Sequence, residues 1–517
     1  MSVSNASRAA TLLLAPLLLV AGAAMARQGE RPLLLDPARA DARIERIVLP
    51  GIDAAALRRS HDFVEKSALP AVIDKRLAIS TGQPTLIDPR VDGRWQQLDD
   101  GRQIWQFAID VPGATDLHLG FERYRLPEGA RMWVVGAAGY YEGPYDAQDG
   151  EPLWLPMIPG ASAHIELQLP PGVTPAELDL VLTEVGAGFR DLFGLAKLAG
   201  PQSSGACNIN VVCPLGQPYS DEQRALAYYE FRGDNGIGYI CTGTMLNSAA
   251  TTPRAYVLTA AHCMSTASEV ASMRVYWNYR SAQCSPTSGW SLAQNQTGAS
   301  LRATRADVDF SLVELNAAPD PAWRIFFAGW DATGIAPGSS IGLHHPRGDV
   351  AKVTASNMAP RTTNNCIGTG GTSFNTHWLS GPYQQGTTEG GSSGSGLRIP
   401  AGEGGGTGKR LIGMLSGGNA DCSTGNPTQP NGGIDCYGKM SAAWDGSSAG
   451  TRLRDWLDPG ATGTRSLAGR FQDTPFHPIP PGLQTRLAAD RQAPAMRASG
   501  RGTGQHPIPF DPRTRVD

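Results

Sequence analysis

Every cysteine in this chain lies between positions 207 and 436, and the 200 residues at the start contain none. The thiols are Cys207, Cys213, Cys241, Cys263, Cys284, Cys366, Cys422 and Cys436. An even set of cysteines reads as a disulfide framework in an oxidising compartment, and the first residues point to one. Arg8 supplies a positive start, Leu12 to Val20 a short apolar run, and Ala24-Met25-Ala26 a small-residue cleavage site, so residues 1–26 read as a secretory signal peptide. The run is too short for a membrane span, and no later stretch approaches the ~20 apolar residues that a span needs. The expected product is secreted, without a membrane span, and carries four disulfides whose pairing spacing alone leaves open.

A length of 517 residues fits about three domains. A net charge of −3 with 18% charged residues excludes a strongly basic nucleic-acid binder and an acidic disordered chain. Residues 27–201 form a cysteine-free block whose first part, to about Leu69, has helical periodicity. Later stretches alternate as strands do: Gln103 to Ile109, His164 to Leu169 and Leu178 to Leu182. Pro112-Gly113, Pro127-Glu128-Gly129 and Pro171-Gly172 punctuate them, and a small β-sandwich is expected. Residues 202–468 are rich in short strands such as Ala255 to Thr259, Met273 to Trp277 and Leu411 to Leu415. One amphipathic helix is expected around Arg452 to Leu457, stopped by Pro459-Gly460. Residues 469–517 read as a disordered tail rich in proline and arginine, with His-Pro-Ile-Pro at His477 and again at His506.

Three short strings inside the cysteine-rich segment carry chemistry: Thr259-Ala260-Ala261-His262-Cys263, Asp309-Phe310-Ser311-Leu312 and Gly391-Ser392-Ser393-Gly394. A serine hydroxyl is a poor nucleophile near neutral pH and needs a base beside it and a group that orients the base. An imidazole, a carboxylate and a hydroxyl in the order His, Asp, Ser match the chymotrypsin-type arrangement, unlike the subtilisin and hydrolase orders. The separations, 47 and then 84 residues, suit base and orienter on one β-barrel and nucleophile on the next. Gly391 and Ser393 would turn their N–H groups to a developing oxyanion. Alone, each string has an ordinary reading: a structural histidine, a Gly-Ser linker, an Asp309 that competes with Asp307. His344, His345 and His377 read as packing or hydrogen-bonding histidines. No paired Cys-x2-Cys spacing is present, since Cys207 to Cys213 is too wide, so neither a metal nor another cofactor is expected.

With these strings in place, residues 203 to about 460 resemble the bacterial lysyl endopeptidases, a secreted branch of the chymotrypsin-like serine proteases. The matching stretches include Cys207-Asn208-Ile209, Val211-Val212-Cys213-Pro214, Tyr276-Trp277-Asn278-Tyr279, Asp309 to Asn316, Ala328-Gly329-Trp330-Asp331, His344-His345-Pro346, Thr388-Glu389, Gly391 to Ser395 and Asp455 to Pro459. The resemblance implies an all-β, chymotrypsin-like double β-barrel with a C-terminal helix, preceded by a β-rich propeptide. It implies a zymogen that hydrolyses protein or peptide substrates, works as a monomer, and is folded and inhibited by its own propeptide. It also implies the triad His262, Asp309 and Ser393 and the disulfides Cys207–Cys422, Cys213–Cys284 and Cys241–Cys263. Cys366 and Cys436 are then left, and they are expected to pair.

Selection of a basic residue before the scissile bond needs a desolvated carboxylate. The trypsin-like position for it, six residues before Ser393, holds Thr387. In the resembling family the selecting aspartate lies in an Asp-x-Tyr-Gly context, which Asp435-Cys436-Tyr437-Gly438 matches. Asp435 is therefore the expected lysine partner, with Glu389 as a polar second wall. Ser416, Gly417 and Gly418 would form the strand that pairs with substrate backbone. Two departures stand out. Ser416 occupies the place of a family histidine, and Cys366 or Ile367 lies near the place of the tryptophan that stacks on it. An arginine-directed or dual-specificity protease is the alternative within enzymes, and an inactive protease-like binding module the alternative outside them. Lys197 precedes Gln202, where the resemblance places the mature start, by five residues. Self-cleavage after Lys197 followed by trimming is expected, so N-terminal sequencing of processed protein should give a start within residues 198–206.

Overall fold

The computed structural model describes residues 29–37, 44–67, 76–147, 152–192, 194, 204–364, 374–404, 406, 408–422, 424–427 and 430–472. The signal-peptide segment, Lys197, Gln202, Cys366, Ile367, His477 and His506 lie outside them. Among the described residues no helix is long and apolar enough to cross a membrane.

The cysteine-free block folds as two facing sheets. One runs in the order Glu45–Val48, Gln103–Asp110, Ser162–Leu169, Arg131–Val135 and Tyr141–Tyr145, with Trp95–Gln97 beside Gln103–Asp110. The other holds Leu77–Ile87, Asp179–Gly188 and Asp116–Arg125. Alternate residues of each strand point to one face, so Trp105, Phe107 and Ile109 meet Leu117, Leu119, Leu180 and Leu182 in a common core. The helical periodicity before Leu69 is only partly realised. Ala54–Ser67 is helical, whereas Glu45–Val48 is extended. Its parallel pairing with Gln103–Asp110 and the Arg46–Asp110 ion pair of 3.2 Å provide partners that local periodicity cannot register.

The cysteine-rich segment forms two barrels. The first runs Asn295–Thr297, Arg274–Tyr276, Leu226–Arg232, Ile237–Leu246, Tyr256–Thr259, Phe310–Leu315 and Ala299–Arg305. The second runs Ile209–Asn210, Lys352–Ser356, Ser340–His344, Gly396–Arg398, Leu411–Gly418, Asp435–Lys439, His377–Ser380 and Arg361–Thr363. A shared core that includes Leu258, Phe310, Trp330, Met414 and Trp444 joins the barrels. Disulfides link Cys207 to Cys422, Cys213 to Cys284 and Cys241 to Cys263. Each closes a loop and so removes about 3–5 kcal/mol of unfolded-chain entropy. Cys436 is also disulfide-bonded.

The terminal helix is shorter than expected, covering Arg454–Leu457. The described chain stays attached past residue 468. Arg470–Phe471 pairs with Phe326–Phe327, Phe471 packs against the Phe326 ring, and Arg470 Nε donates to Asn247 Oδ1 at 2.9 Å. These contacts hold the chain to the first barrel beyond Leu467, where composition alone had indicated a tail.

The two halves of the chain share one sheet. Leu77–Ile87 pairs on one side with Asp179–Gly188 and on the other with Ile237–Leu246, Leu77 opposing Ile240 and Thr81 opposing Ile237. Leu77, Ile79, Met157 and Leu192 pack against Tyr228, Ile240, Tyr276, Tyr279 and Val350. Within this seam His118 is enclosed by two carboxylates, Nε2 lying 2.8 Å from Asp116 and Nδ1 2.7 Å from Glu230. Arg274 Nε lies 3.1 Å from Glu230 on the opposite side, and the Tyr276 hydroxyl donates to the same carboxylate. Burial by itself pulls the His118 pKa down, but Glu230 and Asp116 outweigh it and lift the group to about 9. For Glu230 burial pulls upward, and Arg274 and His118 outweigh it to bring the carboxyl to about 2. Buried charges of this kind hold only while each keeps its partner.

The pH dependence follows from linkage. The His118 contribution is complete below its ordinary 6.5 and is lost as pH rises through about 9. The Glu230 contribution is complete above 4.5 and is lost as pH falls through about 2. Thermal unfolding of the uncleaved chain should therefore show its highest midpoint between pH 4.5 and 6.5 and decline toward pH 9. His118→Gln should lower the plateau and flatten the alkaline decline.

Candidate active site

The strand Tyr256–Thr259 runs out of the first barrel into the turn that carries His262. Two ties fix its end: Thr259 Oγ1 meets the Tyr229 hydroxyl at 2.6 Å and donates to the Thr242 carbonyl at 3.1 Å. The Cys241–Cys263 disulfide then anchors the residue after His262. Asp309 precedes the strand Phe310–Leu315 with φ of 57°, a left-handed conformation that short polar side chains tolerate. Its carboxylate is buried and accepts from the His262 backbone N–H at 2.8 Å, while its other oxygen meets His262 Nδ1 at 2.8 Å. Asp307, the competing carboxylate, pairs with Arg305 at 2.6 Å. On the far side of the ring, His262 Nε2 lies 2.8 Å from Ser393 Oγ.

The turn before Ser393 is held through its carbonyls and one side chain. Thr242 Oγ1 donates to Gly391 O at 2.9 Å, and Thr242 N donates to Ser393 O at 2.8 Å. Ser392 Oγ meets His344 Nδ1 at 2.8 Å and accepts from Glu389 N at 3.2 Å. Gly391 has φ of 92°, where a side chain would be strained, and an added Cβ would lie 2.9 Å from His345 O. Among the described residues the N–H groups of Gly391 and Ser393 meet no acceptor.

Asp435 lies at the start of the strand Asp435–Lys439, opposite Gly418 at the end of Leu411–Gly418. The carboxylate is buried, and its Oδ2 accepts from the Tyr383 hydroxyl at 2.9 Å and from Thr388 Oγ1. Tyr383 also meets the Tyr437 hydroxyl at 2.9 Å, and burial followed by the Asp435 charge pushes both phenols well above their ordinary range. Gly418 is needed for this approach, since a Cβ there would lie 2.4 Å from Asp435 Oδ1. Ser416 and Gly417 continue the same strand, and the hydroxyls of Ser416 and Thr387 are buried without a partner among the described residues. Glu389, expected as a polar second wall, meets the turn at residues 205–208. Its Oε2 accepts from Gly205 N at 2.8 Å and from Asn208 Nδ2 at 2.6 Å, because the Cys207–Cys422 disulfide brings that turn against it.

Burial lowers His345 and His377 to about 4, so both are neutral packing groups at neutral pH. Thr242, Tyr383 and Thr388 had not been singled out as site residues. Thr388 stood within a matching stretch, while Thr242 and Tyr383 carry no local signal, since their importance comes from partners more than 50 residues away.

Comparison with known proteins identifies the family. The lysyl endopeptidase C-terminal domain family matches residues 201–438, and the lysyl endopeptidase N-terminal domain family matches residues 88–186. A curated lysyl endopeptidase from Pseudomonas aeruginosa is 32% identical over 358 residues, spanning 65% of this chain and 72% of that protein. The chain belongs to the lysyl endopeptidase family. Among solved structures, a thermostable serine protease, AL20, from an extremophilic microorganism aligns with 42% of this chain and 92% of its own at 12% identity and a TM-score of 0.27. The protease Anisep from Arthrobacter nicotinovorans aligns with 45% of this chain and 93% of its own at 14% identity and a TM-score of 0.30.

As a member of the lysyl endopeptidase family this chain is a serine endopeptidase, built on the all-β, chymotrypsin-like double barrel described above. The Asp309–His262 contact then gives a direct test. Asp309→Asn replaces a carboxylate oxygen facing Nδ1 with either a neutral acceptor or an N–H₂ that forces the wrong tautomer. Such a change should leave the fold intact and lower kcat by about 10⁴-fold, read from hydrolysis of an amide substrate by the processed protein.

Proposed function

We propose that this protein is a secreted, lysine-directed serine endopeptidase in which Ser393 is the nucleophile, His262 the general base and then acid, and Asp309 the group that orients the imidazole. The observation that carries the proposal is the unbroken line from Asp309 through both ring nitrogens of His262 to Ser393, each contact 2.8 Å. Ser393 Oγ attacks the scissile carbonyl while His262 Nε2 takes its proton. Asp309 accepts the Nδ1 hydrogen and stabilises the imidazolium without taking a proton. The unpartnered N–H groups of Gly391 and Ser393 receive the oxyanion, each contributing about 3–4 kcal/mol to the transition state. The imidazolium then protonates the leaving amine; water, deprotonated by the same nitrogen, attacks the acyl carbon, and that nitrogen returns the proton to Ser393 Oγ as the acid leaves.

Asp435 supplies the charge for the residue before the scissile bond. Its Oδ2 already accepts two hydroxyl hydrogens, from Tyr383 and Thr388. A forked guanidinium binds best to two free carboxylate oxygens in one plane, whereas an ammonium is a compact point charge that can bind one oxygen and neighbouring hydroxyls. The buried hydroxyls of Ser416 and Thr387 offer further acceptors of that kind. These groups favour lysine over arginine. The strand through Ser416, Gly417 and Gly418 aligns the substrate backbone. The N-terminal block is read as a propeptide that completes a sheet of the first barrel during folding and leaves after export and cleavage.

Processed protein should label at Ser393 with a fluorophosphonate, and failure to label would overturn the nucleophile assignment. Digestion of a defined peptide mixture should give ends at lysine, and predominant cleavage after arginine would overturn the specificity assignment. Asp435→Asn should reduce kcat/KM for lysine substrates by about 10²–10³-fold through loss of a buried charge partner, while fluorophosphonate labelling persists.

A further inference from the structure

We propose that Glu389 is a positioning residue that ties the start of the protease segment to the turn carrying Ser393, a role that rests on the reading of Ser393 as nucleophile. One oxygen of Glu389 receives two donors, Gly205 N at 2.8 Å and Asn208 Nδ2 at 2.6 Å. Asn208 Nδ2 also reaches Gly205 O at 3.1 Å, so the carboxylate and the amide close a small ring around that turn. The turn itself is fixed to the second barrel by Cys207–Cys422, and a Cβ at Gly205 would lie 2.5 Å from Cys422 Sγ. Ser204 Oγ adds a second anchor to Asp349 at 2.6 Å.

The backbone of Glu389 is bonded in both directions to the residue before the nucleophile. Glu389 O accepts from Ser392 N at 3.0 Å, and Glu389 N donates to Ser392 Oγ at 3.2 Å. A displacement of Glu389 is therefore passed to Ser392 and to the N–H groups of Gly391 and Ser393. Two donors converge on a single oxygen of Glu389 from a turn that is itself anchored by a disulfide, so residues 204–208 act as a fixed abutment for the turn. The charged group of Asp435 is contacted by Thr388 rather than by Glu389, which leaves the Glu389 carboxylate to this structural partner. What Glu389 needs is an acceptor oxygen, and its negative charge is secondary.

Three variants separate this role from a charge in the substrate pocket. Glu389→Gln keeps an acceptor oxygen and loses the charge, Glu389→Ala loses both, and Asn208→Ala removes the donor from the opposite side. Each is expressed as the full chain, allowed to mature, and assayed on matched amide peptides with lysine or arginine before the scissile bond. Glu389→Ala and Asn208→Ala should lower kcat by about 10–100-fold on both peptides with KM changed by less than about threefold, as expected when reacting groups are misplaced. Fluorophosphonate inactivation should slow in parallel. Glu389→Gln should stay close to the parent enzyme, and the double alanine variant should be no slower than the worse single one. The lysine-to-arginine ratio should not move in any of them.

Loss of lysine preference in Glu389→Gln, with KM raised on lysine peptides alone, would overturn the proposal in favour of a pocket charge. An unchanged kcat in Asn208→Ala would overturn it as well. If Glu389→Ala does not mature, Asn208→Ala and Glu389→Gln still decide the question. A parent enzyme that fails to react with the fluorophosphonate would instead remove the Ser393 reading, and this proposal with it.

Discussion

Thr242 joins the two barrels at the point where the candidate catalytic groups meet. Its backbone N–H donates to Ser393 O, its hydroxyl donates to Gly391 O, and its carbonyl accepts from Thr259 Oγ1 near the end of the His262 strand. His345 N reaches the same hydroxyl at 3.1 Å. One residue of the first barrel thus sets the height of the Ser393 turn and the exit angle of the His262 strand together. The 2.8 Å contact between His262 and Ser393 spans residues 131 apart in sequence, and it exists because this seam holds both ends. Since proximity and orientation supply much of the rate in acyl transfer, the seam would, on the proposed reading, belong to the chemistry as much as the side chains themselves.

A second seam governs how the first barrel is completed. The strand Ile237–Leu246 is paired over its first residues by Leu77–Ile87 from the N-terminal block, so an edge that would otherwise present unpaired amides is covered. The same seam buries Asp116, His118, Glu230 and Arg274 as a closed charge group, where each member depends on the next for compensation. Apolar contact at this boundary supplies affinity, while the charge group demands one register, because a slipped strand would leave buried ions unpaired. The N-terminal block therefore gives the barrel both an edge partner and a defined alignment.

Much of this architecture was legible in the chain. Alternation in Gln103 to Ile109 and His164 to Leu169 located strands, because side chains facing a common core must repeat every second residue. Elsewhere local pattern was overruled by distant partners. Glu45–Val48 became a strand because Gln103–Asp110 offered a parallel edge. Arg470–Phe471 joined the barrel because Phe326 and Asn247 were waiting for it. Glu389 accepts from Gly205 and Asn208 because a disulfide delivers that turn to its carboxylate.

The chain by itself determined the chemical vocabulary: His, Asp and Ser in one order, a cysteine-rich segment, and an aspartate in an Asp-x-Tyr-Gly setting. Such features survive in sequence because they are identities and short spacings. Tertiary structure decided which carboxylate faces His262, since Asp309 and Asp307 differ by two positions but point to His262 and Arg305 respectively. It also decided that Tyr383 and Thr388 surround Asp435, and that Thr242 carries the seam. These are contacts between residues tens to hundreds of positions apart, and only packing of the two barrels brings them within hydrogen-bond reach.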